Sequence, residues 1–439
     1  MVSLSVDGLI SGMDTTNLIT QLVAAEGTVQ NQLKTRLSET QQAADAYRSI
    51  NTKMDALRSA AETLGKDATW TAAKATSSST AVAVAVTGTP QTGSITFTVN
   101  SVAAAHTVVG ATQTSATTAG AYTSLTVRTA AGDKPVTGLG TGSLNDTAAA
   151  INKGDYGLNA TVLQVRPGEY ALQVSSRTTG TNGSFSLGTG FSTLRQGANA
   201  KITLGETTAT TTGLAIESAT NTFTGVIPGG TLTISAASSA SVTVDVSADP
   251  DAVAAKVQAF VEAANVALTE IAKQSANGSG SIAALRGDSD LRRLTDQILT
   301  AVSDVVGSMG SPGTSGVQLT RDGKVSFTKD TFLTRLQADP AKVRELFTGV
   351  AADGGPDGVA TRVQALAKQT TNATTGTLTL LAKGREALVT DLKGRIADWD
   401  LRLAARKEAL TKQFTAMETA LSSLKSQSTW LAGQLSSLA

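Results

Sequence analysis

Side chains able to do covalent or acid–base chemistry are scarce in this chain, and their spacing points to structure rather than catalysis. There is one histidine, His106, and no cysteine among 439 residues. Thiol nucleophiles, disulfides and cysteine-based zinc sites are therefore excluded together. A serine triad would have to use His106 as its only imidazole. His106 follows an alanine run in a strand-like stretch and is expected at the surface or on an edge. Asp288 and Asp290 are spaced like paired carboxylates, but Arg292 and Arg293 beside them read as the first turn of a helix. The acids of residues 71–248 are Asp133, Asp146, Asp155, Glu169, Glu206, Glu217 and Asp245. They are scattered over turns and strands, without the pairing that glycoside hydrolysis requires. Gly138-Leu139-Gly140-Thr141-Gly142 lacks the third spaced glycine of a dinucleotide fingerprint and is expected to be a loop. Arg286-Gly287-Asp288 spells the integrin-binding tripeptide. Asn-x-Ser/Thr sequons occur at Asn145, Asn159, Asn182, Asn277 and Asn372. A Thr/Ser-rich chain produces such short matches freely. No catalytic residue, metal ligand or cofactor is expected, and the chain does not read as an enzyme.

Composition narrows the partners. Lys+Arg is 36 and Asp+Glu is 35, a formal net charge of +1. That leaves no basic excess for a phosphate backbone, so no nucleic-acid partner is expected. Aromatic content is 4%, low for a deep small-molecule pocket. No segment reaches the ~18 apolar residues that span a bilayer, so no membrane partner is expected. The opening Met1-Val2-Ser3-Leu4-Ser5-Val6-Asp7 has neither a basic start nor an apolar core and does not read as a cleaved secretory signal. Threonine is abundant, with 67 residues, and 37 of them lie in 71–248. That same stretch holds only 15 of the 71 charged residues. Charged ends thus flank a bland Thr/Gly-rich middle.

The elements follow from periodicity. The N-terminal flank is expected to form one long helix. Its seam runs Leu22, Glu26, Val29, Leu33, Arg36, Thr40, Ala43, Tyr47, Ile50, Met54, Leu57, Ala61 and Leu64, in steps of four and three. Asp14-Thr15-Thr16 offers its N-cap. The C-terminal flank carries Leu392, Ile396, Trp399 and Leu403. After an irregular step near Arg406 come Leu410, Phe414, Met417, Leu421, Leu424, Ser428, Leu431, Leu435 and Leu438. Neither stripe can be buried by its own helix, so the two chain ends are expected to pair. A terminal stripe containing Trp430, Leu431 and Leu435 is costly to expose on a monomer. It either serves intramolecular pairing alone or is a seam left partly open for partners.

The middle alternates at period two over residues 81–86, 94–99, 161–165, 170–174, 231–234 and 242–246, which predicts strands with threonine on the solvent face. Arg166-Pro167-Gly168-Glu169 predicts a hairpin turn, and Asp146–Asn152 a short helix. After Asp249-Pro250, a helical stripe of Val253, Val257, Phe260, Val261, Ala264, Leu268 and Ile271 appears. A helix over Asp288–Val306, an Asp322-Gly323 turn between short strands and a helix over Pro340–Phe347 follow.

The expected fold is α+β and multidomain. Both chain ends form an antiparallel helical coiled-coil leg with an inserted β-rich head of two subdomains. The expected segments are 1–17, an N-terminal flexible assembly segment; 18–70, the N-terminal part of the leg; and 71–110, the first part of one head subdomain. Then come 111–195, an inserted subdomain; 196–248, the second part of the first subdomain; 249–427, the C-terminal part of the leg; and 428–439, a C-terminal flexible assembly segment.

The termini carry a resemblance. Gly8-Leu9-Ile10-Ser11-Gly12-Met13-Asp14-Thr15 followed by Leu18-Ile19-Thr20-Gln21-Leu22-Val23-Ala24-Ala25-Glu26 resembles the N-terminal signature of the flagellar filament cap (FliD, hook-associated protein two) family. Trp399-Asp400-Leu401-Arg402-Leu403, Gln413-Phe414-Thr415-Ala416-Met417-Glu418 and Leu424-Lys425-Ser426-Gln427-Ser428-Thr429-Trp430-Leu431 are similar to its C-terminal signature. Asn221-Thr222-Phe223 with the stretch Val226–Ile234 is similar to its segment leaving the head, and Leu285–Ser289 falls on another of its motifs. Residues near 121–190, centred on Ala148–Asn152, resemble the flagellin-type hook insertion motif.

The resemblance implies a non-enzymatic assembly factor: a homo-oligomeric ring, expected as a pentamer, at the distal tip of the flagellum. Flagellin exported through the channel folds and inserts beneath it. The terminal helices would be legs on the filament end, and the β heads the plate. It further implies export by the flagellar type III route, a cytoplasmic export chaperone, and contact with the hook–filament junction protein. By apolar exposure together with the resemblance, Leu421, Leu424, Trp430, Leu431 and Leu435 are expected to make assembly or chaperone contacts. Leu9, Leu18 and Leu22 are their N-terminal counterparts. The alternatives are another flagellar axial or junction protein, and an adhesin role for the head, with host mucin as partner.

Overall fold

The computed structural model describes residues 12–87, 91–205, 212–278, 280–350 and 357–438. Helices α1 (Thr15–Glu26), α2 (Thr28–Leu64) and α3 (Asp67–Trp70) open the chain. Strands β1 (Ala73–Ser77), β2 (Val82–Val86), β3 (Gly93–Ser101), β4 (Ala105–Gly110), β5 (Thr126–Thr129) and β6 (Gly132–Pro135) lead to helix α4 (Leu144–Lys153). Strands β7 (Leu158–Arg166), β8 (Glu169–Thr179), β9 (Phe185–Ser186), β10 (Phe191–Arg195), β11 (Ala200–Leu204) and β12 (Leu214–Ser218) follow. The series closes with β13 (Thr222–Thr224), β14 (Gly230–Ile234) and β15 (Ser238–Ala248). The rest is mainly helical: α5 (Pro250–Ser275), α6 (Ser289–Ser303), the hairpin β16 (Val317–Leu319) and β17 (Val325–Phe327), α7 (Lys329–Ala338), α8 (Pro340–Thr348), α9 (Val359–Thr371) and α10 (Thr377–Leu438). No helix among the described residues is long and apolar enough to cross a membrane.

The chain divides into two compact units, Met1–Gly65 with Ala255–Ala439, and Lys66–Ala254. In the first, α2 packs along α10 and α9. Its seam residues from Thr40 onward, Ala43, Tyr47, Ile50, Met54, Leu57, Ala61 and Leu64, are all buried, as the four–three spacing predicts. Every member of the α5 stripe from Val253 to Ile271 is buried as well. The β16–β17 hairpin is held to α5 by Asn265, whose amide donates to Val325 O at 2.7 Å and accepts from Val325 N at 2.8 Å. Arg362 on α9 closes the end of α6, donating to the carbonyls of Ala301 and Asp304 at 2.9 and 3.0 Å.

The second unit has two sheet-built cores. One combines a five-stranded antiparallel sheet, in the order β1-β15-β3-β11-β12, with the three-stranded sheet β13-β14-β2. Phe97, Val99, Ile202, Phe223, Leu232, Val242 and Val244 fill it. Along β15, Val242, Val244 and Val246 are buried while Thr243 turns outward, its hydroxyl 3.1 Å from that of Thr96 across the ladder. The other core lies among the sheets β10-β4-β8-β7 and β6-β5-β9 with α4, and contains Val127, Leu144, Ile151, Leu158, Leu172, Val174 and Phe185. Pro167 and Gly168 make the two-residue turn between β7 and β8, where Arg166 pairs with Glu169. Gly168 has φ +78, which a residue with a Cβ rarely adopts.

Four expectations change. The N-terminal flank is two helices broken at Gly27, not one. The head boundary expected after residue 110 falls earlier, because β4 pairs with β8 and β10 and so belongs to the inserted core. Residues 428–438, expected to be a flexible segment, continue α10 as helix. His106 is 4% exposed, neither on the surface nor on an edge strand, since β4 lies between β10 and β8. Its Nδ1 accepts the Gly197 amide at 3.2 Å, and Phe185 meets its ring edge-on at 5.1 Å. It is a buried core residue.

Candidate assembly surface

Asp14 starts α1, its Oδ1 accepting the Asn17 amide at 2.8 Å. The helix lies along α10. Thr15 and Ile19 are buried, Val23 is half-buried, and Gly27 and Gln30 are buried. A methyl added at Gly27 would meet Leu403 Cδ1 at 3.7 Å. Glu26 pairs with Arg406 at 2.9 Å, and the Gln30 amide donates to Asp400 at 2.5 Å. The face of α1 and early α2 that meets the partner is therefore Thr15, Ile19, Val23, Gly27 and Gln30. The expected Leu22, Glu26 and Val29 seam is displaced. Two successive four-residue steps, Ile19 to Val23 to Gly27, carry the contact to a different face before the pattern rejoins at Leu33 and Thr40.

This displacement leaves an apolar stripe outside. Leu18, Leu22 and Val29 are 38%, 41% and 46% exposed, at the i, i+4 and i+11 spacing of one helix face. On α10 the covering lessens towards the C-terminus. Leu410 is buried, Phe414 and Met417 are half-buried, and Leu421 is half-buried. Beyond it Leu424, Trp430, Leu431 and Leu435 are 60%, 65%, 54% and 65% exposed. Leu424, Leu431 and Leu435 share one face; at ~100° per residue, Trp430 points about 100° round from Leu431. Leu9 lies outside the described residues. The expected Leu18, Leu22, Leu424, Leu431 and Leu435 are thus all exposed apolar positions, and Leu421 is half-buried. Met13, 43% exposed, Val29, and Leu401, 73% exposed, were absent from the expected contacts. An apolar residue between seam positions, as Leu401 is between Trp399 and Leu403, was the available signal.

Charge on this surface is balanced. Lys412 reaches Glu408 at 2.7 Å and holds that carboxyl below its usual range through the hydrogen bond and its charge. Arg402 stacks over Trp399 at 4.7 Å. No group of three His, Cys, Asp or Glu among the described residues is placed to hold a metal.

Against known proteins, residues 11–106 match the family model described as flagellar hook-associated protein 2 N-terminus, and residues 197–426 match the C-terminus model of the same family. The chain belongs to the flagellar hook-associated protein 2 family. The unmatched interval, 107–196, corresponds closely to the inserted head core. Relatives include flagellar hook-associated protein 2 of Escherichia coli K12, 25% identical with 99% of this chain and 98% of that protein covered. The lateral flagellar hook-associated protein 2 of Vibrio parahaemolyticus is 26% identical over 65% of this chain and 66% of that one. In fold, the chain is similar to the crystal structure of the D1-D2-D3 domains of the flagellar cap protein FliD from Escherichia coli, with a TM-score of 0.60, 23% identity, and 78% and 99% of the two chains covered.

Proposed function

We propose that this hook-associated protein 2 family member caps the distal tip of the flagellar filament, as a structural and not a catalytic component. The observation that carries the reading is the bare apolar end of α10, Leu424, Leu431 and Leu435, together with the stripe of Leu18 and Leu22 on α1 and Val29 at the start of α2. Solvent exposure of so much aliphatic surface on a coiled coil is offset only when another helix covers it. In this reading the chain forms a homo-oligomeric ring, a pentamer, and its terminal helices meet the filament end. Exported flagellin folds and inserts beneath the ring instead of leaking away. The hook–filament junction protein is the first surface it seats on, and an export chaperone covers the apolar end before secretion. The Thr-rich head is soluble and shaped for assembly. Deletion in the native bacterium tests this: filaments should be absent, motility poor, and flagellin monomers abundant in the medium. Normal filaments in the deletion strain would overturn it.

A further inference from the structure

We propose that Asn277 is a site of spontaneous deamidation, and that the fold directs this chemistry to Asn277 while shielding Asn182. Asn-Gly occurs twice in the sequence, at Asn182-Gly183 and at Asn277-Gly278. Both asparagine side chains are exposed, so side-chain access does not separate them. What separates them is the glycine that supplies the nucleophile.

The reaction begins when the backbone nitrogen of the following residue, losing its proton to solvent base, attacks the asparagine Cγ. The new C–N bond closes a five-membered succinimide, and the side-chain nitrogen leaves as ammonia. Water then opens the ring at either carbonyl and yields aspartate or isoaspartate. The net change is one water consumed and one ammonia released, with no oxidant or cofactor. The step needs a following amide that is solvated and free to rotate toward Cγ, and glycine, without a Cβ, permits that rotation best.

Gly278 meets the requirement. It is exposed just beyond the end of α5, no heavy atom lies within 4 Å of where its Cβ would be, and its amide donates to no acceptor among the described residues. Gly183 does not meet it. It is buried within a single 3-10 turn, and its amide donates to Gly180 O at 3.1 Å. A Cβ there would sit 2.6 Å from Thr178 O and 2.8 Å from Ser176 Oγ. Turning the Gly183 nitrogen toward Asn182 would break a buried hydrogen bond in a packed site.

The consequence is local. Leu285 N bonds back to Gln274 O at 2.9 Å, closing the loop that contains Asn277 and leads into the α6 cap. Isoaspartate adds a carbon to the backbone inside that closed loop, and either product adds one negative charge.

The test is peptide mapping by mass spectrometry of the purified full-length protein, incubated folded and in urea at mildly alkaline pH. In urea both asparagines should convert at similar rates, since both precede glycine. In the folded protein Asn277 should convert several-fold faster than Asn182. Gly278→Ala, tolerated because the site is open and its φ is not positive, should slow conversion at Asn277 several-fold without changing the thermal midpoint. Equal rates at the two sites in the folded protein, or an Asn277 that stays intact there while converting in urea, would overturn the proposal.

Discussion

The Tyr47 hydroxyl donates to Oδ2 of Asp288, and Oδ1 of the same carboxylate accepts the amides of Asp290 and Leu291 at 2.8 and 3.2 Å. One side chain therefore both caps α6 and ties that cap to α2. The Arg-Gly-Asp tripeptide ends on this residue, so its carboxylate is turned into the helical unit and committed. Asp288→Ala is expected to cost about 2–3 kcal/mol, because it removes a cap and leaves the Tyr47 hydroxyl without its acceptor. Urea unfolding measures this directly. The wild-type protein should also give no adhesion to integrin-bearing cells that an Arg-Gly-Asp peptide can compete.

The same pair sets a dependence on alkaline pH. Burial, then the bond to and charge of Asp288, push the Tyr47 pKa from 10.0 up to about 12. A raised folded pKa means that the contribution is complete below about pH 10 and declines as pH climbs towards 12, where the unfolded chain has already ionised. Tyr47→Phe lacks this ionisation. Its deficit relative to wild type, about 1 kcal/mol at neutral pH, should shrink across that interval when urea midpoints are compared at each pH. A constant gap would separate the pKa from the fold.

Where α1 meets α10, packing outweighs charge. Glu26 and Arg406 are each nearly half exposed, and a double-mutant cycle should return a coupling of less than about 1 kcal/mol. Ile19, 7% exposed, loses a buried side chain in Ile19→Ala. About 2 kcal/mol of local stability should go with it, at the low end for such a truncation because the site lies near a chain end. Amide hydrogen exchange reports both effects: Ile19→Ala should release protection over residues 19–26, and Glu26→Gln should leave it nearly intact.

In the head, His106→Ala should leave the Gly197 amide without an acceptor and remove the ring against Phe185. The expected cost is about 2–3 kcal/mol. Calorimetry of the full chain should show it in one transition only, since Lys66–Ala254 is a separate compact unit.

These contrasts show which physics the sequence carries. From Thr40 to Leu64 nearly every seam position is apolar, and the α5 stripe is apolar throughout, so helical period and burial agree. The strands were legible where one face is wet, as in Val242-Thr243-Val244, because alternation is then visible. It fails in β4, where His106, Thr107 and Val108 are all buried. A strand covered on both faces carries no alternating signal, and from sequence the histidine reads as peripheral. The phase of α1 was hidden for another reason. Leu18, Ile19, Leu22 and Val23 offer two apolar faces, and Gly27 together with the partner helix selects between them. The candidate surface was legible as an apolar heptad, but its bare extent was not. Leu421 and Leu424 both fall on the heptad, yet Leu421 is half-buried and Leu424 is 60% exposed.

That difference predicts how the surface divides. Leu431→Ser with Leu435→Ser alters positions of α10 that are 54% and 65% exposed, so the monomer's stability should stay within about 0.5 kcal/mol of wild type. Assembly should respond strongly: sedimentation should show monomers where the wild type forms rings, and motility of the complemented strain should fall. Trp430 faces another direction on α10, so Trp430→Ala reports on a second contact. If ring formation uses the leucine face and chaperone or filament binding the tryptophan face, the two variants should lose different partners in pull-down assays. An unchanged sedimentation profile with undiminished motility in the leucine double variant would remove this stripe from assembly, since the apolar surface it deletes would then have no partner to lose.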